Sequence, residues 1–343
     1  LTPDEFRLIN PNTLTCPVFR SERDAELTKR LYRTAPVLID ENRPDGNPWG
    51  IRFLQGTHNM SSDSHLFVDT PAAGLLPLYE AKMINFYDHR AGTYESRGEE
   101  RGYRILPSPS LSEYQNPNYT SIPFYWISAQ FVEERLSSWG HDWLLVFKDV
   151  TSATNERTVI AAVIPKSGVG HTAPLIFPSA TPKLIAALLA NINCLILDYV
   201  ARQKVGGLHL TYSYVRQFPC IPPSRYTDEN LAFIVLRVLE LTYTAHDLAA
   251  WARELGYDGS PFAFDPDRRA TLRAELDAYY AKLYGLTRDE LRYILDPADI
   301  MGEDYPSETF RVLKDKECKE FGEYRTQRLV LEAWDNLEIG ELA

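Results

Sequence analysis

The sequence predicts an α+β fold: a β-rich body with a long core helix, followed by an α-helical C-terminal region. Three observations carry this. β-branched and aromatic runs recur at Ile122 to Ile127, Trp143 to Val150 and Arg157 to Ile164. A strongly apolar stretch, Leu184 to Val200, has helical spacing. After Thr227 the pattern is helical almost throughout. The expected division is a connecting segment over 1–44, a body over 45–225 and a helical domain over 226–343.

Each element has its own signal. Ser21 is an N-cap for a helix to Arg33, with Ala25, Leu27, Leu31 and Tyr32 on its apolar side. Asn42 to Asn47 is a turn cluster. Leu75 to Tyr87 reads as a strand and a short helix. Arg97 to Pro123, rich in Gly, Pro, Ser and Asn, reads as an exposed loop. The runs from Trp143 and Arg157 form a hairpin across Thr151 to Glu156. Thr181-Pro182 starts the core helix. Leu184, Leu188, Leu195 and Tyr199 mark its apolar face, and Gly206-Gly207 turns the chain. Leu208, Leu210, Tyr212 and Tyr214 then alternate with polar residues as in a strand. Helices follow over Asp228 to Tyr243, His246 to Leu255, Arg268 to Tyr284 and Arg288 to Leu295.

Charge is distributed unevenly over the 343 residues. The chain carries 36 Lys plus Arg and 47 Asp plus Glu, a net charge of -11. Taken whole, that opposes a nucleic-acid surface, because phosphate neutralisation needs cations. By region, residues 1–147 are net -5, 148–225 are net +5 and 226–343 are net -11. No acidic residue occurs from Thr158 to Leu197. A positive island between acidic flanks is consistent with a polyanion-facing surface, and equally with a charge-poor core segment.

Cys16, Cys194, Cys220 and Cys318 are scattered, without a C-x-x-C pair, and read as reduced thiols of a cytoplasmic protein. The polar start Leu1 to Glu5 is not a signal peptide. Leu184 to Val200 holds Asn191, Asn193 and Asp198 and is too short and polar for a membrane span. The chain begins without Met, which fits processing, a tag or a piece cut from a longer protein.

Few enzyme motifs survive inspection. There is no G-x-G-x-x-G, no G-x-x-x-x-G-K-[ST] and no G-x-S-x-G. Gly168 to His171 (GVGH) is too short to bind a dinucleotide and reads as a turn. Asn116 to Tyr119 (NPNY) lacks the second Pro of an amino-methylation motif. Pro44-Asp45 with Glu80-Ala81-Lys82 formally matches a P-D…E-x-K nuclease site, where Asp45, Glu80 and Lys82 would hold Mg2+ and activate water. Pro44-Asp45-Gly46 is also an ordinary turn. Asp88-His89 could be an acid–base couple, but a surface pair is the default. The seven His show no zinc spacing.

The richest segment is Ala201 to Tyr214, ARQKVGGLHLTYSY. A helix would deliver Arg202 and Lys204 to a turn at Gly206 and Gly207, whose bare backbone lets N–H groups approach phosphate. The expected strand offers His209, Thr211 and Ser213 to base edges or sugars. A helix C-cap followed by a core strand explains the same letters.

Longer stretches add a resemblance. Ala187 to Pro223 resembles a segment from the C-terminal half of adenine-specific DNA methyltransferases of restriction–modification and phage-defence systems. Ala274 to Leu295 and Glu308 to Asp335 resemble helical and C-terminal stretches of the same proteins. Ile9 to Tyr32 and Leu76 to Arg90 resemble segments just after their methylase domain. The order is the same along nearly the whole chain. The family's S-adenosylmethionine loop and Asn-Pro-Pro-aromatic motif are missing here. The resemblance therefore implies a target-recognition half that binds double-stranded DNA. The cofactor and the catalytic domain would lie elsewhere, in cis or in a partner subunit. Expected phosphate contacts are Arg157, Lys166, Arg202, Lys204 and Arg216. His171, His209, Thr211 and Ser213 are expected at bases or sugars. An Mg2+-dependent nuclease and an acidic docking scaffold are the alternatives.

Overall fold

The computed structural model describes residues 1–95, 105–306 and 309–342. The part of the expected Arg97 to Pro123 loop before residue 105, and Glu308, lie outside them. Among the described residues seven short strands fall between Arg52 and Phe177: β1 (Arg52–Leu54), β2 (Leu75–Tyr79), β3 (Trp126–Ser128), β4 (Trp143–Phe147), β5 (Ala161–Pro165), β6 (Gly168–Val169) and β7 (Leu175–Phe177). One sheet has the order β1-β7-β4-β5 and is antiparallel throughout. The other has the order β3-β2-β6, with β2 and β6 parallel. The turn expected at Gly168 to His171 is thus corrected to a short strand over Gly168–Val169.

The hairpin expected from the two apolar runs is β4–β5, with Trp143 opposite Pro165 and Phe147 opposite Ala161. Every β4 side chain is buried. That is why the run is continuously apolar and does not alternate. β1 lies at a sheet edge and is half exposed.

The expected single core helix is two helices, Pro182–Asn193 and Leu195–Lys204, bent by 55°. The polar letters inside the apolar run explain the break. Asn193 holds Ala161 of β5 through both its amide and its carbonyl, at 2.9 Å each. Cys194 is extended, and the freed Leu195 amide donates to Asp277 Oδ1 at 2.7 Å. Asp277 thus serves as the cap of the second helix, reaching it from a distant part of the chain. No single helix among the described residues is long and apolar enough to cross a membrane; this bent pair passes only as a pair, and most of it is buried in protein.

The expected strand after Gly207 is also corrected. Residues Tyr212–Val215 form one helical turn, with the Thr211 carbonyl accepting from the Tyr214 and Val215 amides. The alternation was misleading because it matches no face: Leu208 is 67% exposed while Leu210 is fully buried.

The C-terminal helices appear where expected. Asp228–Thr242 and Arg288–Leu295 each start with a capping box, Thr227 with Asn230 and Thr287 with Glu290. Ala249–Glu254, Pro266–Leu283, Pro297–Met301, Arg311–Phe321 and Arg325–Glu338 are the other α-helices described in the region. One hydrophobic core runs from Ile9 to Trp334, across the boundary expected at 225. Polar ties cross it too: Tyr280 donates to the Ala187 carbonyl at 2.6 Å, and Asn191 to the Tyr284 hydroxyl at 2.7 Å. The first 44 residues join the same core through Leu27, Leu31 and Tyr32, whose hydroxyl donates to Gln217 O at 2.7 Å.

Candidate nucleic-acid interface

The expected cations divide into those consumed inside the fold and those at its surface. Arg157 is buried; its Nε donates to Asp198 Oδ2 at 2.9 Å and its Nη2 to the Asn193 carbonyl. Arg202 has a side chain 4% exposed, an ion pair to Asp198 Oδ1 at 2.8 Å and four carbonyl acceptors, those of Ala153, Asn155, Glu156 and Thr309. Burial alone would push the Asp198 carboxyl up, but Arg202 and Arg157 outweigh it and hold it below its ordinary range. Lys204 gives its three protons to Ile9 O, Asn10 Oδ1 and Gln217 O at 2.6–2.8 Å, and burial lowers its pKa well below that of an ordinary lysine. These three expected phosphate contacts are corrected to internal fasteners. All donors of Arg202 and Lys204 are spent on protein acceptors, and Arg157 is held through its Nε and Nη2.

The others lie further out. Lys166 pairs with Glu133 at 2.8 Å. His171 Nδ1 accepts the Met60 amide at 3.2 Å. His209 is exposed beside Asp149 at 3.3 Å. Gly206 and Gly207 are exposed, and an added Cβ would meet nothing within 4 Å at either. Thr211 is half-buried before the short helix, and Ser213 is exposed. Arg216 pairs with Glu41 and lies over the Tyr212 ring at 5.3 Å. Its Nε is buried and lacks an acceptor.

Edge strand β1 organises two recesses, because alternate side chains point to opposite faces. Arg52 contributes to an open cleft of about 750 Å³, together with Ser138, Trp139, His141 and Phe177. Its guanidinium lies 4.4 Å over the Phe177 ring and donates to Ser138 Oγ at 2.9 Å. It has no ion pair among the described residues. Thr181 and Leu184, at the start of helix Pro182–Asn193, line the same cleft. No side chain caps that first turn, so its amide dipoles remain available to an anion. Lys183 there is exposed and carries no ion pair among the described residues.

On the other face, Ile51, Phe53 and Gln55 line a recess of about 560 Å³ with Tyr212 and Arg216. Phe53 stacks on Tyr212, with ring centroids 5.7 Å apart. At the end of β1, Gly56 has φ +89°, and a Cβ there would lie 2.7 Å from the Gly170 backbone. Only glycine allows that approach. It brings Gln55 Nε2 to the His171 carbonyl at 2.9 Å. Arg216 and His171 are thus the expected residues that meet β1.

No protein-family model and no curated protein matches this chain.

Sequence reasoning missed Arg52, Trp139 and Lys183. The available signal was Ile51 to Gln55, a short run in which an arginine alternates with apolar residues. The residues of the nuclease alternative sit in unlike surroundings: Asp45 is exposed and bound to Arg43 at 2.8 Å, whereas Glu80 is buried and accepts the Tyr94 hydroxyl at 3.2 Å. Among the described residues no three His, Cys, Asp or Glu group as metal ligands would. Asp88 and His89, expected at the surface, are buried. His89 Nε2 lies 2.9 Å from Asp247 Oδ1, and Asp88 accepts the Tyr114 hydroxyl at 2.9 Å. Asn116 to Tyr119 forms part of a collar in which the Asn116 and Tyr119 carbonyls accept from buried Arg90.

Proposed function

We propose that the chain is the DNA target-recognition part of an S-adenosylmethionine-dependent, adenine-specific DNA methyltransferase of a restriction–modification or phage-defence system. Apart from the family resemblance, one observation supports it most: edge strand β1 puts Arg52, free of any described ion pair, in an open cleft beside an uncapped helix start. Such a surface suits phosphate, while the recess at Phe53, Tyr212 and Arg216 offers rings and a guanidinium to bases or sugars. S-adenosylmethionine belongs to a catalytic domain in cis or on a partner subunit, and no residue of this chain is assigned to it. In this reading the protein acts in the cytoplasm. Flipping an adenine costs a few kcal/mol, so recognition contacts serve catalysis as well as selectivity.

The test is duplex binding by fluorescence anisotropy across a salt series, for this chain and for Arg52→Ala. Steep salt dependence that weakens in the variant supports the proposal. Absence of duplex binding at low salt, or equal behaviour of the two proteins, refutes it.

A further inference from the structure

A second cavity, about 290 Å³, lies between the C-terminal helices and the preceding body. Helices Pro266–Leu283 and Arg311–Phe321 and the start of Arg325–Glu338 enclose it against Phe86 and Arg157. Its size is at the lower end for small-molecule sites, which suits a compact ligand.

The floor is cationic. Arg157 and Arg273 both lie over the ring of Phe86, at 5.1 and 4.8 Å. Arg157 is committed to Asp198 and to the Asn193 carbonyl. Arg273 has neither a hydrogen-bond acceptor nor an ion pair among the described residues. The nearby carboxylates do not make up the difference. Asp198 is shared between Arg157 and Arg202, and Asp277 Oδ1 is taken by the Leu195 amide. Around the cavity Arg157, Arg273, Lys316 and Arg325 stand against Glu156, Asp277, Glu317 and Glu320, and of these cations Arg273 alone has no ion pair among the described residues. Burial, with Arg269 and Arg157 adding repulsion, lowers Arg273 to about 10, so it is still protonated at neutral pH.

The rim carboxylates are largely engaged. Glu156 pairs with Lys316 at 2.9 Å, and Glu317 accepts the Thr326 amide and hydroxyl at 2.7 and 2.6 Å. Arg325 pairs with Asp267 at 2.8 Å. Glu320, at the mouth, is exposed to solvent. A guanidinium without a counter-ion on a half-buried floor is a bidentate fork without an acceptor.

We infer that this cavity binds a small phosphate-class oxyanion, held by the Arg273 fork above Phe86. A phosphate group supplies two oxygens in the geometry of the fork and gives Arg273 the anionic partner it lacks. The remaining volume admits a small organic group esterified to it. This site does not depend on the DNA-binding proposal, since it uses no residue of the β1 surface.

The test is thermal unfolding in sodium phosphate against sodium chloride of equal ionic strength. Phosphate should raise the Tm of the parent chain and of Arg52→Gln, but not of Arg273→Gln. Arg273→Lys keeps the charge and loses the fork, so its phosphate affinity should fall about tenfold. Should Arg273→Gln fail to fold, tungstate soaked into crystals of the parent protein gives the second readout, a peak beside Arg273. The inference is overturned if phosphate does no more than chloride, if Arg273→Gln responds like the parent, or if tungstate leaves the cavity empty.

Discussion

Asp198 joins Arg157 to Arg202, one guanidinium on each carboxylate oxygen, at 2.9 and 2.8 Å. The same Oδ2 also accepts the Thr158 and Val159 amides. One side chain therefore ties the second core helix to the strand that follows Arg157. Removing a partner from a buried ion pair leaves uncompensated charge. Asp198→Ala should cost about 3–5 kcal/mol of stability. Asp198→Asn should also destabilise strongly, because two arginines lose their anion. Chemical denaturation measures both, and a parent-like Asn variant would contradict the assignment.

Asp277 supplies a pH signature. Burial pushes its carboxyl up to about 6, against the pull of Arg157. Its folded pKa lies above the unfolded one. The associated stability is therefore fully present below about 4, is lost as pH rises through about 6, and is absent at neutrality. The loss is about 3 kcal/mol. Asp277→Asn keeps an oxygen for the Leu195 amide and removes the titration. Its stability should vary less between pH 4 and 7 than that of the parent, as urea titrations at stepped pH will show; unchanged slopes in the variant would exclude this role.

Lys148 gives the opposite sign. Burial lowers its amine to about 8, with Asp88 only partly restoring it. A lysine depressed in the fold contributes stability that is present above its unfolded pKa and lost as pH falls through the folded value. At pH 7 the charge is thus a cost. Lys148→Met should stabilise by about 1–3 kcal/mol at pH 7, with the gain shrinking above pH 9. A destabilised variant would mean that the amine makes contacts that outweigh its burial.

The placement of the cations predicts an ordering among DNA-binding variants. Each phosphate contact removed should lower the slope of log K against log salt by about 0.9. Arg52→Ala and Lys183→Ala should each lower it, and Lys166→Ala should do so less, because its amine already holds Glu133. Arg202→Ala should instead unfold the protein at lower denaturant. Measuring affinity and stability on the same variants separates the classes; an Arg202→Ala protein with normal stability and lost DNA binding would reverse them.

The α+β class, the β4–β5 hairpin and the C-terminal helices were legible because periodicity and capping letters are local. Ser21 was read correctly as a cap and accepts the Asp24 amide at 3.0 Å. The break at Cys194 was legible only in part: Asn191 and Asn193 stand in the run, but Asp277, which caps the freed Leu195 amide, lies 82 residues beyond Leu195. The basic residues of 148–225 suggested a positive face, but counting charge cannot separate a solvated cation from a buried one. Arg157, Arg202 and Lys204 are spent on partners that only the fold brings near. Arg52 went unnoticed for the converse reason: it sits outside the basic island, and only the packing of β1 at an edge exposes it.

The shared core across residue 225 has a consequence for cutting the chain into portable pieces. A cassette cut after the β strands would expose the apolar sides of Pro182–Asn193 and Leu195–Lys204 and strip Leu195 of its cap. The smallest portable unit is the whole chain, helices included. Under the proposed DNA-recognition role, drift toward a new target is confined to side chains at the rim of β1.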